Sequence, residues 1–310
     1  MNIDKKYETW DRFINSKGIK IPSQQLIHMQ IDTPESYFLN SELIVHAGGL
    51  SERWWPVNQG KCPKPLTDVG KKPRPMIDWV ILPYVMAGLK HIFVSLWHSP
   101  DSIIKHCEEI SKNTEIKFTF LTEPEDKRLG RAGVIKYYLE NGVLDENKPK
   151  ISVNASDILK ISIKEMAKFQ FIGLKKGFLA TVVGSPSEFS QFGRIKSDPK
   201  TKILKVFEEK PITILPKGEY VNTGVFFLDS KLNKLFFEIE DEELPTDLER
   251  SKIITKMYDA MRCFEGVLPL KSWLWMKTPQ DYKRVRDMDL EKFLEITSIE
   301  RFLGPYSPQE

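Results

Sequence analysis

Cysteine is scarce in this sequence, long apolar runs are absent, and neither sign of charge dominates. Its 310 residues contain three cysteines, Cys62, Cys107 and Cys263, which are odd in number and far apart. This pattern argues against a disulfide framework or a zinc site and predicts a reduced, intracellular protein. No stretch reaches transmembrane length, and the N-terminal residues lack the apolar centre of a signal peptide. We therefore expect a cytoplasmic protein.

The near balance of charge narrows the classes of partner. Lysine and arginine number 46 against 43 aspartates and glutamates, which gives a formal net charge of +3. That balance favours neither nucleic acid nor a membrane as the main partner. Seven tryptophans and 18 phenylalanines argue against a disordered chain. A chain of this length forms one large α/β domain with additions or two smaller domains.

Apolar runs alternate with amphipathic stretches from about residue 42 onwards. We predict strands at 43–47, 91–97, 116–121, 151–153 and 178–183, and helices at 75–87, 102–111, 132–140 and 162–175. Two β-rich pieces at 203–208 and 221–228 follow, and then a helical region at 247–262. Pro83 is expected to kink or interrupt its helix. This order predicts an α/β fold with a Rossmann-like, mixed but mostly parallel sheet flanked by helices, and a small β-rich lobe.

A glycine pair follows the first predicted strand. The segment Ala47-Gly48-Gly49 leads to Arg53 and then to Lys64. Glycines let backbone N–H groups approach an anion closely, while an arginine offers a fork and a lysine a point charge for phosphate oxygens. These residues are typical of a phosphate-binding loop. The alternative is a glycine turn followed by a proline-rich surface loop.

The glycine loop, together with Pro63-Lys64-Pro65-Leu66, resembles the sugar nucleotidyltransferases, which join a nucleoside triphosphate to a sugar 1-phosphate. Their loop reads roughly Ala-Gly-Gly-x-Gly-Thr-Arg-Leu-x-Pro and is followed by Pro-Lys-Pro-Leu. The resemblance implies that the glycine loop binds the nucleotide and that Arg53 and Lys64 hold its β- and γ-phosphates. Ser51 and Glu52 replace the loop's last glycine and its threonine. A serine at positive φ carries strain, and an inward-pointing glutamate would repel the triphosphate.

A second segment resembles the base-contacting loop of that family. Glu123 precedes Leu129-Gly130-Arg131-Ala132-Gly133, where the family usually has Leu-Gly-Thr-Ala-Gly. The resemblance implies that Glu123 and Gly130 bind the nucleotide; the alternative is a charged loop before a helix. A carboxylate facing the base would accept two neighbouring N–H groups of guanine and would be repelled by the carbonyls of uracil or thymine. We therefore predict a purine nucleotide, with GTP favoured.

Asp157 lies just beyond the strand predicted at 151–153. A carboxylate at the carboxyl end of a parallel strand faces the crevice where ligands bind, and Mg²⁺ takes one or two carboxylates plus phosphate oxygens. A helix N-cap is the alternative role. The segment 153–159 resembles the family's strand-end aspartate, which implies that Asp157 binds Mg²⁺ as the cofactor. The family's second aspartate is Trp275 here and a nearby glycine is Lys277. Either Asp157 suffices, or Lys277 replaces part of the metal's charge, or activity is weak or lost.

Three later segments resemble the sugar side of the family's site. They contain Gly193, then Glu209 and Lys210, and then Asn222. The resemblance implies that Glu209 and Asn222 hold the sugar and that Lys210 binds the sugar phosphate. A carboxylate accepts hydrogen bonds from two adjacent hydroxyls, and an ammonium neutralises a phosphate. A Glu-Lys pair by itself is more often a solvated face.

The resemblance runs from about Leu43 to Tyr282 and implies the domain organisation. Residues 1–40 form an N-terminal extension, with Trp10, Phe13 and Ile14 on one face of a short helix. Residues 41–290 form the nucleotidyltransferase domain, with a sugar-side lobe at about 185–230, and residues 291–310 form a C-terminal tail. The sequence contains no hexapeptide repeat after the catalytic region, so we expect no appended left-handed β-helix.

The implied reaction transfers a nucleoside monophosphate from an NTP to a sugar 1-phosphate, giving an NDP-sugar and pyrophosphate. Two alternatives stay open. One is a catalytically weak, nucleotide-sugar-binding regulatory homologue, which the residues at Glu52, Arg131 and Trp275 favour. The other is nucleotidyl transfer to a non-sugar phosphate. The sequence leaves the identity of the sugar and the presence of a homo-oligomer open.

Overall fold

A mixed central sheet organises the chain. The computed structural model describes residues 33–186, 192–209, 219–248, 252–257, 260–265, 267 and 271–308. The strands within these ranges are β1 (Glu42–His46), β2 (Asp68–Val69), β3 (Arg74–Pro75), β4 (His91–Leu96), β5 (Lys117–Thr122), β6 (Lys150–Asn154), β7 (Asp157–Leu159), β8 (Ala180–Ser185), β9 (Arg194–Ser197), β10 (Leu204–Glu208), β11 (Tyr220–Leu228), β12 (Met261–Phe264) and β13 (Trp273–Trp275). The helices are α1 (Pro34–Leu39), α2 (Trp55–Asn58), α3 (Met76–Met86), α4 (Pro100–Asn113), α5 (Gly130–Glu140), α6 (Ile163–Leu174), α7 (Asn233–Phe236), α8 (Lys252–Met257), α9 (Pro279–Val285), α10 (Leu290–Leu294) and α11 (Glu300–Leu303).

The sheet has a parallel half and an antiparallel half. Its main path is β10-β9-β11-β6-β1-β4-β5, and β8 joins β11 to β12 beside this path. Strand β1 pairs in parallel with both β4 and β6, whereas β11 is antiparallel to β6, β8 and β9. Leu43, Ile44 and Val45 of β1 are fully buried, as expected for a strand covered on both faces. The predicted Rossmann-like α/β sheet flanked by helices is confirmed.

The strands and helices predicted between residues 43 and 183 all occur, with their ends shifted by no more than two residues. Helix α3 continues through Pro83, so the predicted interruption does not occur. Its residues are buried on nearly every side, and this burial offsets the hydrogen bond that the proline removes. Among the described residues, no helix is both long and apolar enough to span a bilayer.

The prediction of a helix across 247–262 was wrong at both ends. Residues 247–248 are not helical, helix α8 covers Lys252–Met257, and β12 pairs in parallel with β8. Met261 and Cys263 are buried while Arg262 and Phe264 are partly exposed. This period of two is the pattern of a strand, and the extra pairing extends the sheet. The short strands β2, β3, β7, β9 and β13 were not predicted as strands either.

The segment after residue 290 packs on the main body. Leu290 and Leu303 are buried in the same core as α3. Arg74 donates from Nε to Asp78 Oδ2 at 2.7 Å and from Nη1 to the carbonyl oxygen of Gly304 at 2.9 Å. The helix predicted around Trp10 lies outside the described residues.

Candidate active site

The loop after β1 lies at the carboxyl ends of the parallel strands. A Cβ on Gly48 would meet Trp97 N at 2.7 Å, so this glycine is required where the loop crosses the end of β4. A Cβ on Gly49 would meet nothing nearer than 3.9 Å. Ser51 has a φ of 58°, the positive value considered from the sequence. Glu52 and Arg53 are both exposed.

Lys64 lies beside this loop, on a short 3₁₀ turn at Lys64–Leu66. Its Nζ is 5.0 Å from the centre of the ring of Trp54, and Trp54 donates from Nε1 to Thr67 Oγ1 at 2.9 Å. Burial and the positive charge of Lys277 lower the pKa of Lys64 to about 7, although Asp157 partly counters them. The protein therefore supplies too little negative charge around the Lys64 ammonium, and a bound anion would supply the missing charge.

Asp157 is the first residue of β7, and three side chains hold its carboxylate. Lys277 donates from Nζ to Oδ2 at 2.7 Å, Asn154 donates to the same oxygen at 3.2 Å, and Trp273 donates from Nε1 to Oδ1 at 3.2 Å. The Asp157 side chain is 1% exposed and that of Lys277 is 21% exposed. Trp275, which stands in place of the expected second aspartate, is opposite Asp157 in the β7–β13 pairing. Asp157 is therefore part of a buried ion pair.

The predicted nucleotide side lines a cavity of about 200 Å³ next to Asn154. The lining residues are His46, Gly48, Gly49, Ser95, Glu123, Arg128, Gly130, Arg131, Asn154 and Asp247. Ala47, also predicted to bind nucleotide, is buried beside them and donates from its N–H to the carbonyl oxygen of Ser95 at 2.9 Å. The structure thus brings all five predicted nucleotide residues to one end of the sheet.

Glu123 organises the loop before α5. Its Oε2 accepts hydrogen bonds from the N–H groups of Leu129 and Gly130, at 2.5 and 3.3 Å. Burial raises the pKa of the Glu123 carboxyl. Gly130 has a φ of +72°, and a Cβ there would meet the Thr246 carbonyl oxygen at 2.6 Å. Both residues therefore shape the loop, and base contact by Glu123 stays a prediction.

Arg131, which replaces the family's threonine, lines the cavity and is connected to Asp157 through the side chain of Asn154. It donates from Nη1 to Asn154 Oδ1 at 3.0 Å and lies 3.5 Å from Asp247. The Nε2 atom of His46 forms a hydrogen bond with Ser152 Oγ, in a direction set by the tautomer of the ring. The buried Nδ1 atom of His46 has no partner among the described residues. Burial, and secondarily the charge of Arg131, lowers the pKa of His46 to about 3, so this ring is neutral. Sequence reasoning did not identify His46 or Asp247, because no motif marked them.

The predicted sugar-side residues also come together. Asn222 donates from its N–H to the Gly193 carbonyl oxygen at 2.7 Å, and a Cβ on Gly193 would meet Glu209 Oε2 at 3.0 Å. Gly224 approaches Asn154 so closely that a Cβ there would meet Asn154 Nδ2 at 2.1 Å. Asn154 therefore lies where the nucleotide side, Asp157 and the sugar-side strand meet. Lys210 lies outside the described residues.

The chain matches known proteins across most of its length. A family model described as nucleotidyl transferase matches residues 42–291. The mannose-1-phosphate guanyltransferase of Kluyveromyces lactis is 29% identical over 216 residues, 68% of this chain and 57% of that protein. The enzyme of the same name from Saccharomyces cerevisiae is 29% identical over 209 residues, 67% of this chain and 54% of that protein. The chain thus spans little more than half the length of these relatives.

Solved structures share the fold. HddC from Yersinia pseudotuberculosis superposes with a TM-score of 0.60 at 20% identity, over 82% of this chain and 99% of that one. A putative glucose-1-phosphate thymidylyltransferase from Bacillus anthracis superposes with a TM-score of 0.62 at 18% identity, over 83% and 97% of the two chains. HddC has also been solved in complex with GMP-PN.

Proposed function

Because the chain belongs to the nucleotidyl transferase family, we propose that it transfers a nucleoside monophosphate from an NTP to a sugar 1-phosphate, releasing pyrophosphate. The observation that carries the proposal is the convergence at Asn154. Asn154 lines the glycine-loop cavity, Gly224 of the sugar-side strand approaches its side chain closely, and its amide donates to Asp157 of the Asp157–Lys277 pair. The relatives named mannose-1-phosphate guanyltransferase support the same reaction.

In the proposed reaction an oxygen of the sugar phosphate attacks the α-phosphorus in line, and pyrophosphate leaves. Arg53 and Lys64 would hold the β- and γ-phosphates and stabilise the charge that develops on the leaving group. Glu209 and Asn222 would orient the sugar, and Lys210 its phosphate. Positioning and fixed positive charge supply the catalysis, so no nucleophilic side chain is needed.

Mg²⁺ stays a prediction, and its predicted ligand is already engaged. Mg²⁺ requires near-octahedral oxygen ligands and usually takes several of them from phosphates and water. Asp157 Oδ2 contacts the Lys277 ammonium at 2.7 Å, and its Oδ1 accepts from Trp273. Because both oxygens of Asp157 are already engaged, this carboxylate does not fit the binding of a cation before the nucleotide binds. We propose that Mg²⁺ would accompany the triphosphate and neutralise part of its charge, while Asp157 stays paired with Lys277.

Guanine is the proposed base. The proposal rests on the relatives named guanyltransferase and on the structure of HddC with GMP-PN. We further propose a cytoplasmic location, which suits three unpaired cysteines. A homo-oligomer stays a prediction.

Pyrophosphate release from a panel of four NTPs and several hexose and heptose 1-phosphates tests the proposal. We expect release only when an NTP and a sugar 1-phosphate are both present with Mg²⁺. Binding of an NDP-sugar without turnover of any pair would favour the regulatory homologue. Turnover only with a phosphate that carries no sugar would favour the other alternative.

A further inference from the structure

Lys277 is held firmly against Asp157. Its backbone N–H donates to Asp281 Oδ2 at 2.9 Å, which fixes the residue to the N-terminus of α9. Its Nζ contacts Ser156 Oγ at 3.3 Å and Asp157 Oδ2 at 2.7 Å. An ammonium with three donors that is anchored at its own backbone presents a defined positive charge at this point of the crevice.

Few other side chains around the Asp157–Lys277 pair could act as metal ligands. Asp281 is engaged by the α9 cap and by Arg284, whose Nη1 lies 3.1 Å from its Oδ1. Trp275 packs against Phe192 and Trp273. In the described ranges no three His, Cys, Asp or Glu side chains cluster as metal ligands. Because aromatic rings exclude water here, an unpaired Asp157 carboxylate would be costly, and Lys277 removes that cost.

The charge of Lys277 also reaches the lysine assigned to the triphosphate. After burial, Lys277 is the largest cause that lowers the pKa of Lys64, ahead of the opposing effect of Asp157. The two ammonium groups therefore act on the same region beside the glycine loop. A ligand that carries several negative charges satisfies both, whereas a free divalent cation would meet their repulsion.

We propose that the Lys277 ammonium occupies the position of a metal ion on Asp157 and presents its charge to the phosphate groups of the substrates. This inference rests on the proposed function and concerns the same site. Asp157 takes no divalent cation while Lys277 is present, and the crevice carries a covalently attached cation in its place.

Binding of Mn²⁺ to the nucleotide-free full chain, followed by electron paramagnetic resonance, tests this directly. We expect no binding to the wild type up to about 1 mM Mn²⁺, because Asp157 is paired. Lys277→Ala leaves Asp157 without its partner and should bind Mn²⁺, and Lys277→Asp supplies a second carboxylate and should bind about tenfold more tightly. Adding Asp157→Asn to Lys277→Asp should abolish the binding.

Lys160→Ala is the matched control, because Lys160 also forms an ion pair, with Glu295 at a distance of 2.5 Å, and this pair lies outside the crevice. This variant should behave as the wild type does. Lys277→Met serves as a second vacating variant if Lys277→Asp does not fold. Wild-type binding of Mn²⁺ within threefold of the Lys277→Ala affinity, lost on Asp157→Asn, would overturn the proposal.

A kinetic readout accompanies the binding assay. Pyrophosphate release is followed at fixed, saturating Mg-NTP while free Mg²⁺ is raised. The wild type should show no further increase, whereas Lys277→Ala should start lower and recover at least about tenfold as free Mg²⁺ reaches millimolar levels. An equal response in both proteins contradicts the inference. If no substrate pair turns over, the proposed function fails, and the Mn²⁺ result still decides the inference.

Discussion

The low pKa of Lys64 predicts that nucleotide binding takes up a proton in mildly alkaline solution. Burial and Lys277 bring the pKa of this ammonium to about 7 in the free protein. A bound triphosphate favours the charged form and raises the pKa. Above pH 7, therefore, the free protein is largely neutral at this position and the complex is protonated. Affinity should be greatest below pH 7 and should fall as the pH rises.

The number of protons taken up on binding follows from the same pKa of Lys64. At pH 8.4 a group with a pKa of 7 is only about 4% protonated, so binding should take up close to one proton. The dissociation constant should rise about tenfold per pH unit from about pH 7.5 until the pKa of the complex is reached. His46 does not contribute, because its pKa is about 3.

Calorimetry of NTP binding at pH 8.4, in two buffers of different ionisation enthalpy, measures the uptake. Lys64→Arg keeps a permanent charge and should abolish the uptake, while Lys64→Met should bind weakly and independently of pH. An uptake below about 0.2 protons in the wild type, or an unchanged uptake in Lys64→Arg, would refute the assignment of Lys64 to the triphosphate.

Three further predictions concern separate parts of the molecule. Gly130→Ala should lower the free energy of unfolding in urea by at least about 2 kcal/mol more than Gly142→Ala, since both glycines have positive φ but a Cβ at position 142 meets nothing within 4 Å; equal losses would contradict this. Lys210→Ala should weaken sugar 1-phosphate binding in calorimetry far more than NTP binding, and the reverse would mean that the two halves of the site are assigned wrongly. GTP should outcompete UTP and dTTP by about 1–3 kcal/mol in binding free energy, and a preference for UTP or dTTP would remove Glu123 from the base site.

The parallel half of the sheet could be predicted from the sequence because each of its strands is a short apolar run bounded by loops. Helix α3 and strand β12 show the limit of that reasoning. A proline inside α3 is tolerated because tertiary burial outweighs its local cost. Strand β12 is four residues long and is stabilised by pairing with β8, a partner about 80 residues earlier in the chain.

The candidate site shows the same division. The glycine loop and Asp157 are predictable because each lies near the end of a predicted strand, in a segment that resembles the family. The pairing of Asp157 with Lys277 spans 120 residues, and only the register of β7 against β13 brings the two together. The role of Glu123 in holding Leu129 depends on the path of a loop, which periodicity does not report. The sequence shows Lys277 as a substitution, but only the fold shows that it contacts Asp157.

Labelled GTP distinguishes nucleotidyl transfer from every other reaction of the triphosphate. Parallel reactions with a sugar 1-phosphate would use GTP labelled at the α-phosphorus or at the γ-phosphorus. Nucleotidyl transfer should place the α-label in an NDP-sugar and the γ-label in pyrophosphate, in equal amounts. A γ-label found in orthophosphate or on the sugar, or an α-label that never appears in an NDP-sugar, would contradict nucleotidyl transfer.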